Sequence, residues 1–176
     1  MIISITGTPG TGKTTLSEAL RAKGYNVVDL NAHIREKGLT GKHDEERDTH
    51  EVDVSKLRRS LAEYRRIDGT VFFDGHLSHF TDCDMIIVLR CNPSVLYQRL
   101  RKRDYDEKKI IENVQAEALD VILCESVDSR IPTFEIDCTS SDTNNIISAV
   151  EDILAGNTET FLPGSVNWSE EMVKWF

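Results

Sequence analysis

Short apolar runs rich in β-branched residues alternate along the chain with longer stretches of helical pattern. Runs of the first kind are buried strands, and their alternation with helices predicts a parallel sheet covered by helices. Strands are expected at 2–5 (IISI), 26–29 (NVVD), 70–74 (TVFFD), 85–90 (MIIVLR) and 133–137 (TFEID). Helices are expected over 13–22, 54–66, 93–103, 107–126 and 142–154, with Pro93 suited to a first turn and Gly156 to a stop. The fold class is therefore α/β.

Two segments interrupt this alternation. Residues 31–53 are highly charged and poor in core formers, which predicts a short helix and an exposed loop; a loop that long is usually functional or disordered. The tail, 157–176, holds both tryptophans, Trp168 and Trp175. Pro163 and Gly164 mark a turn, after which Asn167 is placed to cap a short final helix. Met172, Val173, Trp175 and Phe176 read as packing groups, with the domain's own surface preferred over a partner as what they cover.

Composition narrows the setting. A chain of 176 residues fits one domain over 1–176, and 39% apolar with 29% charged residues is the balance of a soluble globular protein. No apolar run approaches the roughly 20 residues that span a bilayer. The opening MIISITG lacks a basic leader, so no signal peptide and no membrane are expected, and the location read is cytoplasmic. Cys83, Cys91, Cys124 and Cys138 show no CxxC spacing and read as buried, reduced thiols. The net charge of −9 speaks against broad, nonspecific adhesion to nucleic acid, though not against a local basic site, and suits a basic protein partner; direct sequence-specific nucleic-acid binding is not expected.

The chemistry begins at GTPGTGKTT, 7–15. Gly7, four residues and then Gly12-Lys13-Thr14, between a buried strand and a helix, is the P-loop pattern. Glycines let the backbone curl its N–H groups toward phosphate oxygens, and the new helix adds its positive end. Gly10, Thr11, Gly12, Lys13, Thr14 and Thr15 are the expected ATP-binding set, with Lys13 reaching the β- and γ-phosphates and Thr14 a ligand of Mg²⁺. The alternative is a chance glycine turn. Asp74 ends an apolar strand and should emerge at the sheet's carboxyl edge as a second metal-side group; it could instead cap the turn before Gly75. His76 beside it is a candidate catalytic group or a hydrogen-bonding scaffold, whereas His33, His43, His50 and His79 read as structural. Arg99 and Arg103 fall at i and i+4 on one helical face, a phosphate clamp or, alternatively, a solvated basic helix.

With these motifs in hand the sequence resembles the small adenylate kinase family whose eukaryotic members are nuclear and act in small ribosomal subunit maturation. It looks like the shorter, archaeal kind. The resemblance covers about residues 1–155, through GTPGTGKTT, HDEERD, DGHLSH and the block from IVLRCNPSVLYQRLRKRDYDEKK onward. It implies a P-loop nucleoside monophosphate kinase fold, a five-stranded parallel sheet in the order 2-3-1-4-5, an NMP-binding insert at 31–53 and a short lid at 102–112. It also implies that Arg35 grips the monophosphate, Arg103 serves the ATP side, Arg99 binds phosphate, and Asp74 and His76 form a metal and motion-linked motif. Asp104 departs from the glycine usual after the lid arginine. A basic small-subunit ribosomal protein is an implied partner, for which Asp44, Glu45, Glu46 and Asp48 are candidate contacts or simply a solvated face.

The leading expectation is transfer of the γ-phosphoryl group of Mg·ATP to AMP, giving two ADP. Lys13, Asp74, His76 and Arg99 would be the catalytic groups. A nucleotide-operated assembly factor with slow ATPase activity, within a pre-ribosomal particle, is the alternative from another class. A P-loop kinase of another small acceptor, such as shikimate or dephospho-coenzyme A, is a third.

Overall fold

The first strand of the chain is the central strand of the sheet. In the computed structural model, which describes residues 1–44, 49–103, 105–140 and 142–176, with the backbone alone at 42–44 and 49–51, β1 (Ile2–Thr6) lies between β5 (Val71–Asp74) and β6 (Met85–Arg90). β2 (Asn26–Asp29) adds outside β5 and β7 (Thr133–Asp137) outside β6, and every pairing is parallel. Counting these strands alone, the order is 2-3-1-4-5, as expected. All of β1 is buried, because helices cover both faces of the sheet.

Alternate side chains serve opposite faces. Ile3, Ile5, Phe72 and Ile87 pack with Leu16 and Leu20 of α1 (Lys13–Ala22) and with Ile147 and Val150 of α7 (Thr143–Ala155). Ile2, Val71, Phe73 and Val88 pack with Leu57 of α3 (Val54–Leu61) and Leu123 of α6 (Val121–Asp128). A third cluster joins Leu96 and Leu100 of α4 (Pro93–Leu100) to Ile110 and Val114 of α5 (Glu107–Ala118).

The structure departs from the sequence reading in several places. The helix expected over 107–126 is two helices, broken at Asp120, whose φ is +56°. Val121, Ile122 and Leu123 continue the apolar pattern across the break and conceal it. α3 tightens into a 3-10 turn over Ala62–Arg66. α4 ends at Leu100, so Arg103 is not on the helix with Arg99; its N–H closes a turn on Leu100 O at 2.9 Å. Residues 31–53 hold the expected short helix, α2 (Leu30–Glu36), but the expected loop contains an antiparallel pair, β3 (Thr40–Asp44) and β4 (Thr49–Val52). Leu39 and Val52 tie that hairpin to the core. Cys83, Cys91 and Cys138 are buried, whereas Cys124 is exposed on α6. In the tail, α8 (Ser169–Trp175) starts one residue later than expected, with Trp168 at its cap and Asn167 Oδ1 accepting the Ser169 N–H at 2.8 Å. Glu45, Glu46, Asp48 and Asp104 lie outside the described residues. No helix among the described residues is long and apolar enough to cross a membrane.

Candidate functional site

The loop between β1 and α1 can take its shape only with glycine at key positions. Gly7 has φ +139°, and a Cβ there would stand 2.5 Å from Leu89 O. Gly12, with φ +115°, turns the chain into α1 and carries no side-chain cap. The first-turn N–H groups of α1 therefore have no intrahelical acceptor, and they supply donors together with the helix's positive end. Lys13 is half-buried, and its Nζ donates to Gly7 O at 2.6 Å and Thr8 O at 3.0 Å. Burial lowers its pKa to about 8, against the pull of Asp74 and Glu117. At neutral pH it remains charged. Thr14 and Thr15 are exposed on the first turn.

Asp74 emerges at the carboxyl end of β5 and accepts the Ser17 hydroxyl at 2.7 Å. Burial raises its pKa, while Ser17 and Lys13 oppose the rise. His76 lies exposed in the following turn; desolvation and then the charges of Lys13 and His79 lower its pKa. His79 is the buried member of the pair. Its Nδ1 lies 2.9 Å from Thr6 Oγ1 and its Nε2 3.1 Å from Glu125 Oε2, which braces the end of β1 just before the P-loop. His33 is likewise buried, 2.9 Å from Ser60 Oγ.

Two clefts meet at the loop. The larger, about 540 Å³, is lined by Lys13, Thr14, Asp74 and His76, with Asp29, Asn31, Tyr105 and Asn113 along its walls. The smaller, about 220 Å³, runs past Thr11, Arg99, Lys102, Cys138, Thr143 and Ile146. Gly10, Gly12, Thr15 and Arg103 line both. Arg99 is half-buried; its Nη2 donates to Cys138 O and Thr139 O, both at 2.8 Å, and its Nη1 approaches Gly10 O at 3.4 Å. Burial pushes the Cys138 thiol up to about 12, which makes it an inert wall of the smaller cleft. Arg35, by contrast, is exposed on α2 and lines neither cleft. Every P-loop residue expected to bind nucleotide lines at least one cleft, as do Asp74, His76, Arg99 and Arg103.

Sequence reasoning missed a polar cluster under the loop. Arg90, 1% exposed at the end of β6, donates to Glu117 at 2.8 Å and Glu135 at 2.7 Å and pairs with Asp120. Glu117 also accepts the hydroxyl of Thr8 at 2.5 Å. An arginine closing one apolar strand and a glutamate, Glu135, in the middle of another were the available signal.

Comparison with known proteins follows the same lines. Residues 3–120 match the family described as an AAA domain. A protein of Methanocaldococcus jannaschii named "Putative adenylate kinase" is 42% identical over 172 residues, 97% of this chain and 94% of that one. A protein of Archaeoglobus fulgidus with the same name is 41% identical over 175 residues, 98% and 94% of the two chains. Among solved structures, a shikimate kinase from Acinetobacter baumannii in complex with shikimate superposes with a TM-score of 0.60 over 89% of this chain and 93% of that one. At 16% identity that likeness speaks for the fold alone.

Proposed function

The chain belongs to the archaeal-type P-loop nucleoside monophosphate kinase family, and on that premise we propose that it transfers the γ-phosphoryl group of Mg·ATP to AMP, giving two ADP. The observation that carries this reading is the meeting of two clefts along one phosphate-binding loop, with Arg103 on both. A donor nucleotide in the smaller cleft and an acceptor in the larger would have their phosphates in line at Gly12 and Lys13. The AMP phosphate is already a nucleophile at neutral pH, so the work left to the protein is alignment and charge neutralisation.

In this reading Gly10, Thr11, Gly12 and Thr15 present backbone donors to the triphosphate. Lys13 exchanges the carbonyls of Gly7 and Thr8 for phosphate oxygens, which costs little because one set of hydrogen bonds replaces another. Arg99 and Arg103 bracket the transferring group, and His76 serves as a hydrogen-bonding group beside it. Arg35 must be brought from its exposed position on α2 to grip the acceptor phosphate. The residues present fit Mg²⁺: the Thr14 hydroxyl stands exposed on the first turn of α1, and Ser17 orients the Asp74 carboxylate across from it. When bound there, the ion would neutralise charge on the β- and γ-phosphates.

The test is ADP formation from Mg·ATP with and without AMP. A large AMP-dependent rate is expected; a slow rate indifferent to AMP would overturn the kinase reading, and an acceptor screen would expose a shikimate-type substrate. The resemblance adds slow ATP hydrolysis and a cytoplasmic role in small-subunit maturation through a basic ribosomal protein. What supports that addition is the net charge of −9. Failure to capture such a protein at physiological salt would end it.

A further inference from the structure

Beneath the P-loop the C-terminal tail reaches a polar cluster that phosphoryl transfer does not use. Glu117, 3% exposed on the last turn of α5, accepts four hydrogen bonds. One oxygen takes the Thr8 hydroxyl at 2.5 Å. The other takes Arg90 Nε at 2.8 Å, the Cys91 N–H at 3.1 Å and the indole N–H of Trp168 at 3.2 Å. A second tie reinforces the first: Arg90 also holds Glu135, whose free oxygen accepts the N–H groups of Gly164 at 2.7 Å and Val166 at 2.9 Å.

A buried carboxylate is held wherever its donors converge, because an unmatched lone pair there is costly. The Glu117 donors come from three separated parts of the chain: the P-loop, the end of β6 and the tail. Thr8 stands between Gly7 and Pro9, so whatever fixes its hydroxyl fixes the path of the loop toward Gly10 and Gly12. Neither Glu117 nor Trp168 lines a cleft. We propose that the tail, through Trp168 and Glu117, holds the P-loop in the shape that receives ATP phosphates, making both side chains positioning residues for the donor nucleotide. The chain therefore uses its last twenty residues to set the geometry of its first fifteen. The inference rests on the nucleotide-binding reading of the loop.

A double-mutant cycle tests it. ATP and AMP affinities are measured by calorimetry for the unaltered chain, Thr8→Val, Trp168→Phe and the double variant, with melting temperatures to confirm folding. Each single change should weaken ATP by about tenfold, the scale of one hydrogen bond to a charged group. The double variant should lose little more than either, because both changes break one link, and AMP affinity should hold. Trp168→Phe binding ATP as tightly as the unaltered chain, or two losses that multiply to about a hundredfold, would overturn the proposal. A second measurement needs no ligand: in Trp168→Phe, amide exchange over 8–13 should quicken while β1 keeps its protection, and unchanged exchange in the loop overturns the proposal equally. An unaltered chain that failed to bind ATP would end both readings, whereas normal binding with an unmoved Trp168→Phe would end only this one.

Discussion

Thr8 and Arg35 show how differently the two sides of the site are built. Thr8 is 2% exposed, and its hydroxyl is fixed by a buried carboxylate that three other groups also hold. Arg35 is exposed on a seven-residue helix and lines neither cleft. The loop side carries its donors in place before any ligand arrives, so little ordering remains to be done on binding. The α2 side presents Asp29 and Asn31 to the larger cleft, while its expected phosphate ligand stands away. Under the kinase reading the difference is useful: an acceptor side completed only by its ligand leaves the transfer site unassembled until AMP is present, which limits loss of the γ-phosphate to water.

Lys13→Ala is the hardest blow to the loop side. Turnover should fall by at least ~10²-fold, the loss expected for one preorganised donor. Near-normal turnover in a folded Lys13→Ala protein would sink the assignment and with it any contrast between the two sides.

Arg90→Met asks whether the foundation beneath the loop is as rigid as its hydrogen bonds imply. Removing the cation leaves Glu117 and Glu135 buried without it, a loss of about 3–5 kcal/mol for a broken buried ion pair. Melting should drop by roughly 10 °C, given 2–4 °C per kcal/mol at this size. A melting curve that did not move would mean that the cluster is dispensable.

The α2 side is sharpened by Arg35→Ala. Its KM for AMP should rise about tenfold with the KM for ATP little changed, the mark of one lost charged hydrogen bond on the acceptor alone. If both constants rose together, Arg35 would belong to neither side in particular.

The smallest effect lies in pH. Burial depresses the Lys13 pKa to about 8, so the free protein loses this charge as pH rises through 8 while an unfolded chain keeps it to 10.5. The cost of the buried charge is therefore fully present below pH 8 and is relieved between 8 and 10.5. Phosphate restores the charged form. ATP binding at pH 9 should take up about one proton and at pH 6.5 almost none through this group, as read from calorimetry in buffers of different ionisation heat. Equal uptake at both values would contradict the assignment of that proton to Lys13.

The strands were legible because burial on both faces writes a continuous apolar run, and GTPGTGKTT was legible because its glycines have no other common use between a strand and a helix. Asp120 was not. Its left-handed backbone is stabilised from a distance by Arg90, and the residues after it, Val121 to Leu123, are as apolar as a continuing helix requires. β3 and β4 hid for the opposite reason: their residues are mostly polar, and among the described side chains Leu39 and Val52 at the margins touch the core. Glu117 and Trp168 were invisible as partners because 51 residues separate them and neither sits in a motif. Sequence patterns report local period and exposure; they say little about which distant polar groups meet.

The placement of β1 has a consequence for how the molecule is assembled. Ile3 pairs with Phe72 on one side and Met85 on the other, so β1 has no partner in the sheet until β5 and β6 have been made. Pairing across such separations is slow to nucleate, because the intervening chain must be closed into a loop before any contact repays it. A ribosome-bound fragment ending before residue 70 would carry the whole GTPGTGKTT stretch and still lack the strands that give it shape. Competence to hold a nucleotide should thus appear abruptly in synthesis, when β5 and β6 emerge to flank a strand made well before them.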